Sequence, residues 1–333
     1  MIRMGVIGYG YWGPNIVRNF HNTEGVKVVA VCDGNPAALK RVAKIYPTIR
    51  LCSDSREITT ATDIDAVAVV TPVSTHFELA WQALSNGKHV FVEKPLTATT
   101  AEAEKLVSLA QKNRLILMVD HTFVFTGAVR KIKQLVDEDV LGALYYYDST
   151  RVNLGLFQHD INVIWDLAPH DLSIMDHLLP IKPEAIVATG ASHLNDMEDV
   201  AYITAYFADN LIAHLNVNWL SPVKVRTTLL GGEKRMLVWN DLESDEKIKM
   251  YDKGVEIKNA ENVYDLLVSY RSGDMWSPRV EQKEALGREC RYFADCVEDN
   301  QTPFNDGEAG YRIVKMLEAT SVSLKNRGKL VYL

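Results

Sequence analysis

Two residues able to exchange protons stand four apart in the stretch Trp165-Asp166-Leu167-Ala168-Pro169-His170-Asp171. On a helix, Asp166 and His170 share one face. A histidine titrates near neutral pH, so it can take a hydroxyl proton while a hydride leaves the same carbon. A neighbouring carboxylate can orient the ring and stabilise its cation. Proline is at home in a first helical turn. The helix read over 163–179 is therefore open to a later start near Pro169, with Asp166 close to its cap. On either start, both side chains sit near a helix beginning. Taken alone, the same residues read more simply as a capping aspartate, Asp166 or Asp171, and a surface histidine.

A third group is Lys94, in Glu93-Lys94-Pro95 directly after the apolar run His89-Val90-Phe91-Val92. Ligands of open α/β sheets bind at the carboxyl ends of the strands. An ammonium there can hydrogen-bond a substrate hydroxyl and stabilise developing alkoxide charge. On position alone it is as readily an exposed loop lysine. The bond before Pro95 is a candidate for the cis form, which sequence leaves open.

These groups need a redox partner, and the amino terminus supplies one. Gly8-Tyr9-Gly10-Tyr11-Trp12-Gly13 follows the apolar run Ile2 to Ile7 and leads into Ile16-Val17-Arg18-Asn19-Phe20. A second run, Val26 to Cys32, ends at Asp33. Strand, G-x-G-x-x-G, helix, strand and terminal acid form the fingerprint of a dinucleotide-binding βαβ unit. Gly8 permits the tight turn, Gly10 lets the backbone approach the pyrophosphate, and Gly13 lets the helix pack closely. Pro14 suits the first helical turn, and the pyrophosphate would sit on the positive helix end. Asp33 would accept hydrogen bonds from the adenosine ribose, and its charge would repel a 2′-phosphate. NAD is therefore the expected cofactor over NADP, although Lys40 and Arg41 are cations able to fold back.

The elements that must position these groups change character along the chain. Strands read at 2–7, 26–32, 66–70, 89–92 and 115–119, with helices near 14–21, 36–46, 76–86 and 100–113. Continuous apolar runs such as Ala66-Val67-Ala68-Val69-Val70 imply strands buried on both faces. The expected fold class is α/β: a doubly wound Rossmann domain over 1–120, then an α+β domain over 121–333 with a large, mostly antiparallel sheet. In that second part, helices near 127–138 and 163–179 flank a strand over 143–152. Strand-like runs follow at 184–192, 199–208, 211–219, 223–230 and 235–240, with Gly231-Gly232 as a hairpin signal. A loop-rich stretch is expected from Tyr270 to Gln282. Two closing helices, near 283–299 and 307–326, have the option of packing back on the first domain, and a short strand ends the chain.

Composition narrows the function classes. The chain has 333 residues, 47% hydrophobic and 24% charged, which suits two globular domains. No apolar run approaches the ~20 residues of a membrane span. Net charge is −7 with no basic cluster, against a nucleic-acid surface. The start runs directly into a strand, so no cleavable signal is visible. Cys32, Cys52, Cys290 and Cys296 lack metal-site spacing. The expectation is a cytoplasmic protein with reduced cysteines and no metal.

Taken together, these motifs are similar to those of the glucose–fructose oxidoreductase / inositol dehydrogenase / rhizopine-catabolism family. The marks are Gly8-x-Gly10-x-x-Gly13, Thr71-Pro72 with His76, Gly87-Lys88-His89-Val90 into Glu93-Lys94-Pro95, Asp166-x-x-x-His170, and Thr302-Pro303 … Asp306-Gly307-Glu308-Ala309-Gly310. The resemblance covers nearly the whole chain. It implies an NAD(P)-dependent dehydrogenase acting on a sugar or cyclitol hydroxyl. His170 would be the acid/base, Asp166 its partner and Lys94 the electrostatic stabiliser. The loop with Tyr9, Tyr11 and Trp12 would hold the cofactor, and Thr71, Pro72, His76, Glu93 and Thr122 would line its nicotinamide half. Many members carry glycines around the aspartate where this chain has Asn162-Val163-Ile164-Trp165 and Ala168, which alters the pocket wall. Asp166 to Asp171 with Gly10 to Asn15 looks most like nucleotide-sugar members that oxidise the 3-hydroxyl of UDP-N-acetylhexosamines. A 3-ketoreductase, a free sugar or inositol dehydrogenase, and an NAD-binding regulator remain alternatives. The intact Lys94, Asp166 and His170 set argues against a pure binder.

Other residues are candidates for substrate contact. His121 ends a strand and is either a ligand or a structural histidine. Arg151 and Asn153 lie on or just after a second-domain strand and would face the sugar or its phosphates, with a solvated or salt-bridged arginine as the plainer reading. Arg271, Asp274, Trp276 and Arg279 share the expected loop, where an arginine fork suits a pyrophosphate and a tryptophan suits stacking. Trp219, Trp239 and the alternating apolar positions suggest contact between subunits through the second-domain sheet, hence a homodimer or homotetramer.

Overall fold

The computed structural model describes residues 1–155, 161–258 and 267–333. In chain order the elements are β1 (Ile2–Ile7), α1 (Gly13–His21), β2 (Val26–Cys32), α2 (Pro36–Ile45), β3 (Arg50–Cys52), α3 (Arg56–Thr59), β4 (Ala66–Val69), α4 (His76–Ser85), β5 (His89–Glu93), α5 (Thr100–Asn113) and β6 (Leu117–Asp120). They continue as α6 (Gly127–Asp137), β7 (Leu144–Leu154), α7 (Val163–Leu178), β8 (Ala185–Ala191), β9 (Val200–Tyr206), β10 (Ile212–Asn218), β11 (Leu220–Gly232) and β12 (Met236–Asn240). The last are β13 (Ile248–Lys258), β14 (Leu267–Trp276), α8 (Ala285–Asp299), α9 (Gly307–Lys325) and β15 (Val331–Tyr332). No described helix is long and apolar enough to cross a membrane.

The chain divides into two compact units. The first comprises Met1–Phe125 with Lys283–Glu318, and the second Thr126–Gln282 with Ala319–Leu333. In the first, six parallel strands run in the order β3-β2-β1-β4-β5-β6. That order reverses direction beside β1, which makes the end of β1 the topological switch point of a doubly wound sheet. Ala66 to Val69 are all fully buried, as two covered faces require. The short β3 and α3 were not legible in the sequence, because Arg50-Leu51-Cys52 is too brief for a periodic signal. Phe293 of α8 explains why 283–318 joins this unit. It meets Phe20 and Phe91 edge to face, with centroids 5.9 and 5.6 Å away, and all three rings are fully buried. Each buried aromatic contributes about 1.5–3 kcal/mol through area alone.

In the second unit, nine strands run β14-β13-β12-β11-β7-β10-β9-β8-β15. All neighbours are antiparallel except β10 and β7. Helix α7 lies against β7, β9 and β10. Alternation sends Ala201, Ile203 and Ala205, with Ala213, Leu215 and Val217, into the buried face. Tyr202, Tyr206 and Ile212 are left outward, at 43%, 42% and 40% exposure. Two expectations are corrected here. Trp219 and Trp239 are only 1% and 2% exposed, so they belong to the core and offer no surface for subunit contact. The stretch 270–282 is not all loop, because Leu267–Trp276 forms β14 against β13. Its glycine, charges and few aliphatics hide an edge strand from periodicity.

The α6–α7 pair also sets an acid-sensitive element. Burial, and next the Lys133 ammonium, push the His177 imidazole down to about 4 from its ordinary 6.5. A depressed folded value means that the unfolded chain takes up the proton first. Stability is therefore full above pH 6.5 and is lost as the pH falls towards 4. We expect His177→Gln to flatten that acid limb by about 2 kcal/mol, read as thermal midpoints between these pH values.

Candidate functional site

The dinucleotide loop is built from the protein's own constraints. Gly8 has φ of +102°, and a Cβ there would lie 2.1 Å from the Val70 carbonyl oxygen. No side-chain residue fits that turn. At Gly10 a Cβ would meet nothing within 4 Å, so nothing in the protein demands glycine there. Open space beside a bare backbone is what a closely approaching pyrophosphate needs. Helix α1 begins at Gly13 with Pro14 in its first turn and no side-chain cap, which leaves its amino end available to an anion. Asp33 fits an adenosine ribose. Its Oδ2 accepts from Tyr9 N–H at 2.7 Å and its Oδ1 from Asn35 N–H at 2.7 Å, and a carboxylate has further lone pairs. Arg41 does reach this region. Its Nη2 donates to the Tyr9 carbonyl at 3.1 Å, and its guanidinium lies 6.0 Å from the Tyr9 ring centre.

Around the ends of β4, β5 and β6 the polar groups are tightly interlocked. Trp12 Nε1 donates to Asp120 Oδ2 at 2.8 Å, tying the glycine loop to β6, and Thr122 Oγ1 donates to Asp120 Oδ1. His76 is 1% exposed, with its ring nitrogens 2.8 Å from the Pro95 carbonyl and 2.7 Å from the Thr71 carbonyl. It braces the Thr71-Pro72 turn against the Lys94-Pro95 turn from below. Burial lowers its pKa, which the two carbonyls oppose. The Lys94–Pro95 bond is cis. His121 is 2% exposed and sits in the interior.

Sequence reading missed the third carboxyl of this cluster, Glu289 on α8, which is 0% exposed. Burial, then the Asp120 charge, raise both Glu93 and Glu289 well above the usual carboxyl range. A neutral Glu289 can donate to Asp120, and it also accepts from Asn305 Nδ2 at 3.2 Å. The unfolded glutamate ionises near 4.5, so stability falls as the pH rises from there towards the raised folded value. Glu289→Gln keeps a donor without needing a proton. It should raise the thermal midpoint by about 2–4 °C at pH 8, a gap that closes by pH 4.5 in scanning calorimetry.

In the second unit, α7 carries Asp166 and His170. It begins at Val163, capped by the Asn162 side chain, which accepts from Trp165 N–H at 3.1 Å. Pro169 therefore lies inside the helix, and a later helix start near it is ruled out. Asp166 falls in the first turn and His170 one turn on, on the same face. Trp219 Nε1 donates to Asp166 Oδ2 at 3.2 Å, a partner that sequence spacing gave no means to find across 53 residues. Asn162 Nδ2 donates to Glu198 Oε2 at 2.7 Å, and Val163 N–H to the Glu198 carbonyl at 3.0 Å, which fixes the helix start.

The remaining candidates are placed differently. Arg151 is 4% exposed and engaged by Asp171, while Asn153, two positions along β7, is partly exposed. Burial works against the Arg151 charge, but Asp171 outweighs it and its pKa ends above the ordinary value. Arg271 is on β14, donating to Asp252 Oδ1 at 3.0 Å and to the Lys234 carbonyl. Trp276 carries the Arg235 guanidinium 5.4 Å from its ring centre. Arg235 also lines a surface pocket with Arg271, so Arg235 is the residue that joins the two, and Arg279 lies beyond the strand.

Residues 2–121 match the family model described as an oxidoreductase family with NAD-binding Rossmann fold, and residues 129–238 match the GFO/IDH/MocA C-terminal domain. The chain belongs to the GFO/IDH/MocA oxidoreductase family. Among its relatives, a UDP-N-acetylglucosamine 3-dehydrogenase of Acidithiobacillus ferrooxidans is 26% identical over 322 residues, 94% of each chain. A solved structure of that enzyme superposes with a TM-score of 0.81, 25% identity and 98% coverage of both chains. A scyllo-inositol 2-dehydrogenase (NAD(+)) of Bacillus subtilis is 24% identical over 316 residues, covering 91% of this chain and 88% of its own. The chain is thus an oxidoreductase with an NAD-binding Rossmann domain, and its relatives include dehydrogenases of sugar and cyclitol hydroxyls.

Proposed function

We propose that this enzyme oxidises a ring hydroxyl, at C3, of a UDP-linked N-acetylhexosamine to the ketone, as a step towards an amino sugar. The observation that carries the reading is Asp166 and His170 on one face of α7, in a chain that matches a UDP-N-acetylglucosamine 3-dehydrogenase over 94% of its length. Gly8 to Gly13, Asp33, Thr71, Pro72, Glu93 and Thr122 would hold the dinucleotide. The bound nicotinamide supplies hydride acceptance. His170 takes the hydroxyl proton, and Asp166 stabilises the imidazolium that results. Lys94 hydrogen-bonds the same oxygen and lowers the cost of its alkoxide character. NAD is favoured over NADP by the Asp33 charge, with Arg41 as the cation a 2′-phosphate would recruit.

The second-unit sheet presents Tyr202, Tyr206 and Ile212 outward, and we assign this face to contact between copies in a homo-oligomer. Light scattering of Tyr206→Glu against wild type reads that assignment directly.

The test of function is NADH formation by purified enzyme given NAD and UDP-N-acetylglucosamine, with the ketone trapped. Free N-acetylglucosamine and myo-inositol run beside it. Signal with the UDP sugar alone supports the proposal. Signal only with a free sugar or polyol would move the enzyme to catabolism of unactivated substrates. Silence with all three would favour ketone reduction or an NAD-binding regulator.

A further inference from the structure

Three consecutive inward positions of β7 converge on one residue of α7. Ser149 Oγ donates to Asp171 Oδ1 at 2.8 Å. Arg151 donates through Nε to Oδ2 at 2.6 Å and through Nη2 to Oδ1 at 3.2 Å. Tyr147 donates its hydroxyl to the Asp171 carbonyl at 3.4 Å. Tyr147, Ser149, Arg151 and Asp171 are 0%, 1%, 4% and 3% exposed. Strand alternation explains why 147, 149 and 151 reach the same side.

Stability is a weak account of such a cluster. Desolvating a guanidinium and a carboxylate costs about as much as their attraction returns, and apolar residues of the same volume would serve as well. What an arginine fork adds is direction, because it fixes the plane and position of the carboxylate. Asp171 directly follows His170 and stands five after Asp166. Successive helical residues are about 100° apart, so pinning one side chain sets the rotation of the helix about its axis. Helix α7 has particular need of this. Pro169 cannot donate to the Trp165 carbonyl, so the backbone ladder is interrupted one residue before His170.

We propose that the β7 clamp on Asp171 sets the bearing of Asp166 and His170, making Ser149, Arg151 and Asp171 positioning residues for proton transfer. This rests on the reading of His170 as the acid–base group. With the clamp loosened the imidazole leaves its productive position, and a displacement of about 1 Å can cost up to a hundredfold in rate.

Ser149→Ala removes one bond without unpairing a charge, and Arg151→Lys keeps the charge but loses the fork. Each would be compared with wild type and His170→Gln. The readouts are kcat and KM on the active sugar, the acid limb of the kcat profile, NAD affinity, thermal midpoint, and the His170 imidazole titration by NMR in the protein alone. The expected result is a kcat about tenfold lower, a displaced acid limb and a displaced His170 titration, with KM and NAD affinity within about twofold. Lower thermal midpoints with kcat, acid limb and His170 titration all unchanged would overturn the clamp as a positioning device. Undiminished turnover in His170→Gln would instead overturn the acid–base reading, and the proposal with it. Asp171→Asn removes the carboxylate that faces the Arg151 guanidinium and should destabilise most; should it fail to fold, Ser149→Ala decides.

Discussion

Lys94→Met is expected to lower kcat by about a thousandfold while NAD affinity stays near the wild-type value. Methionine keeps the length and apolar stem of lysine and removes only the ammonium. The lysine follows Glu93 at the carboxyl end of β5 and precedes Pro95. The His76 brace on Pro95 holds the Lys94-Pro95 turn whatever residue stands at 94. The loss should therefore fall on turnover, as it does when one preorganised donor to a developing oxyanion is removed. Steady-state NADH formation and NAD binding by calorimetry separate the two effects. Turnover retained within about tenfold would remove Lys94 from the chemistry.

Gly8→Ala and Gly10→Ala are expected to fail in opposite ways. At position 8 the added methyl would sit 2.1 Å from the Val70 carbonyl oxygen, on a backbone with φ of +102°. The β1 turn has to move, and we expect a loss of about 3 kcal/mol of stability or more together with NAD binding. At position 10 the methyl meets nothing within 4 Å, so the variant should fold with a wild-type thermal midpoint. Its cost appears only when a pyrophosphate approaches, as a loss of NAD affinity of about a hundredfold. Thermal denaturation and NAD titration on both variants check this. Wild-type NAD affinity in Gly10→Ala would show that the dinucleotide does not pass over this loop.

Much of the first unit was legible because its signals are local. The spacing Gly8-x-Gly10-x-x-Gly13, the buried runs of β1, β2 and β4, and Asp33 at a strand end all lie within one supersecondary unit. Periodicity also found α6, α7 and β7 to β12 within a few residues. It failed at β3, too short to show a period, at β13, which went unread beyond the strand at 235–240, and at β14, whose Tyr270-Arg271-Ser272-Gly273-Asp274 reads as a loop. Such an edge strand is held by antiparallel pairing with β13, and no local preference reports that.

The sequence by itself determined the cofactor class, the doubly wound sheet and the i, i+4 placement of Asp166 and His170 on one helix. Each follows from backbone geometry over a few residues, which residue type and spacing dictate directly. Tertiary structure alone decided what surrounds those groups. It brought Trp219 to Asp166, Glu289 to Asp120, and Ser149 and Arg151 to Asp171. It also turned Trp219 and Trp239 inward and placed Pro169 within a helix. Those outcomes depend on which strand faces which helix across tens to hundreds of residues. Burial and hydrogen-bond satisfaction settle that choice only when the whole core closes at once.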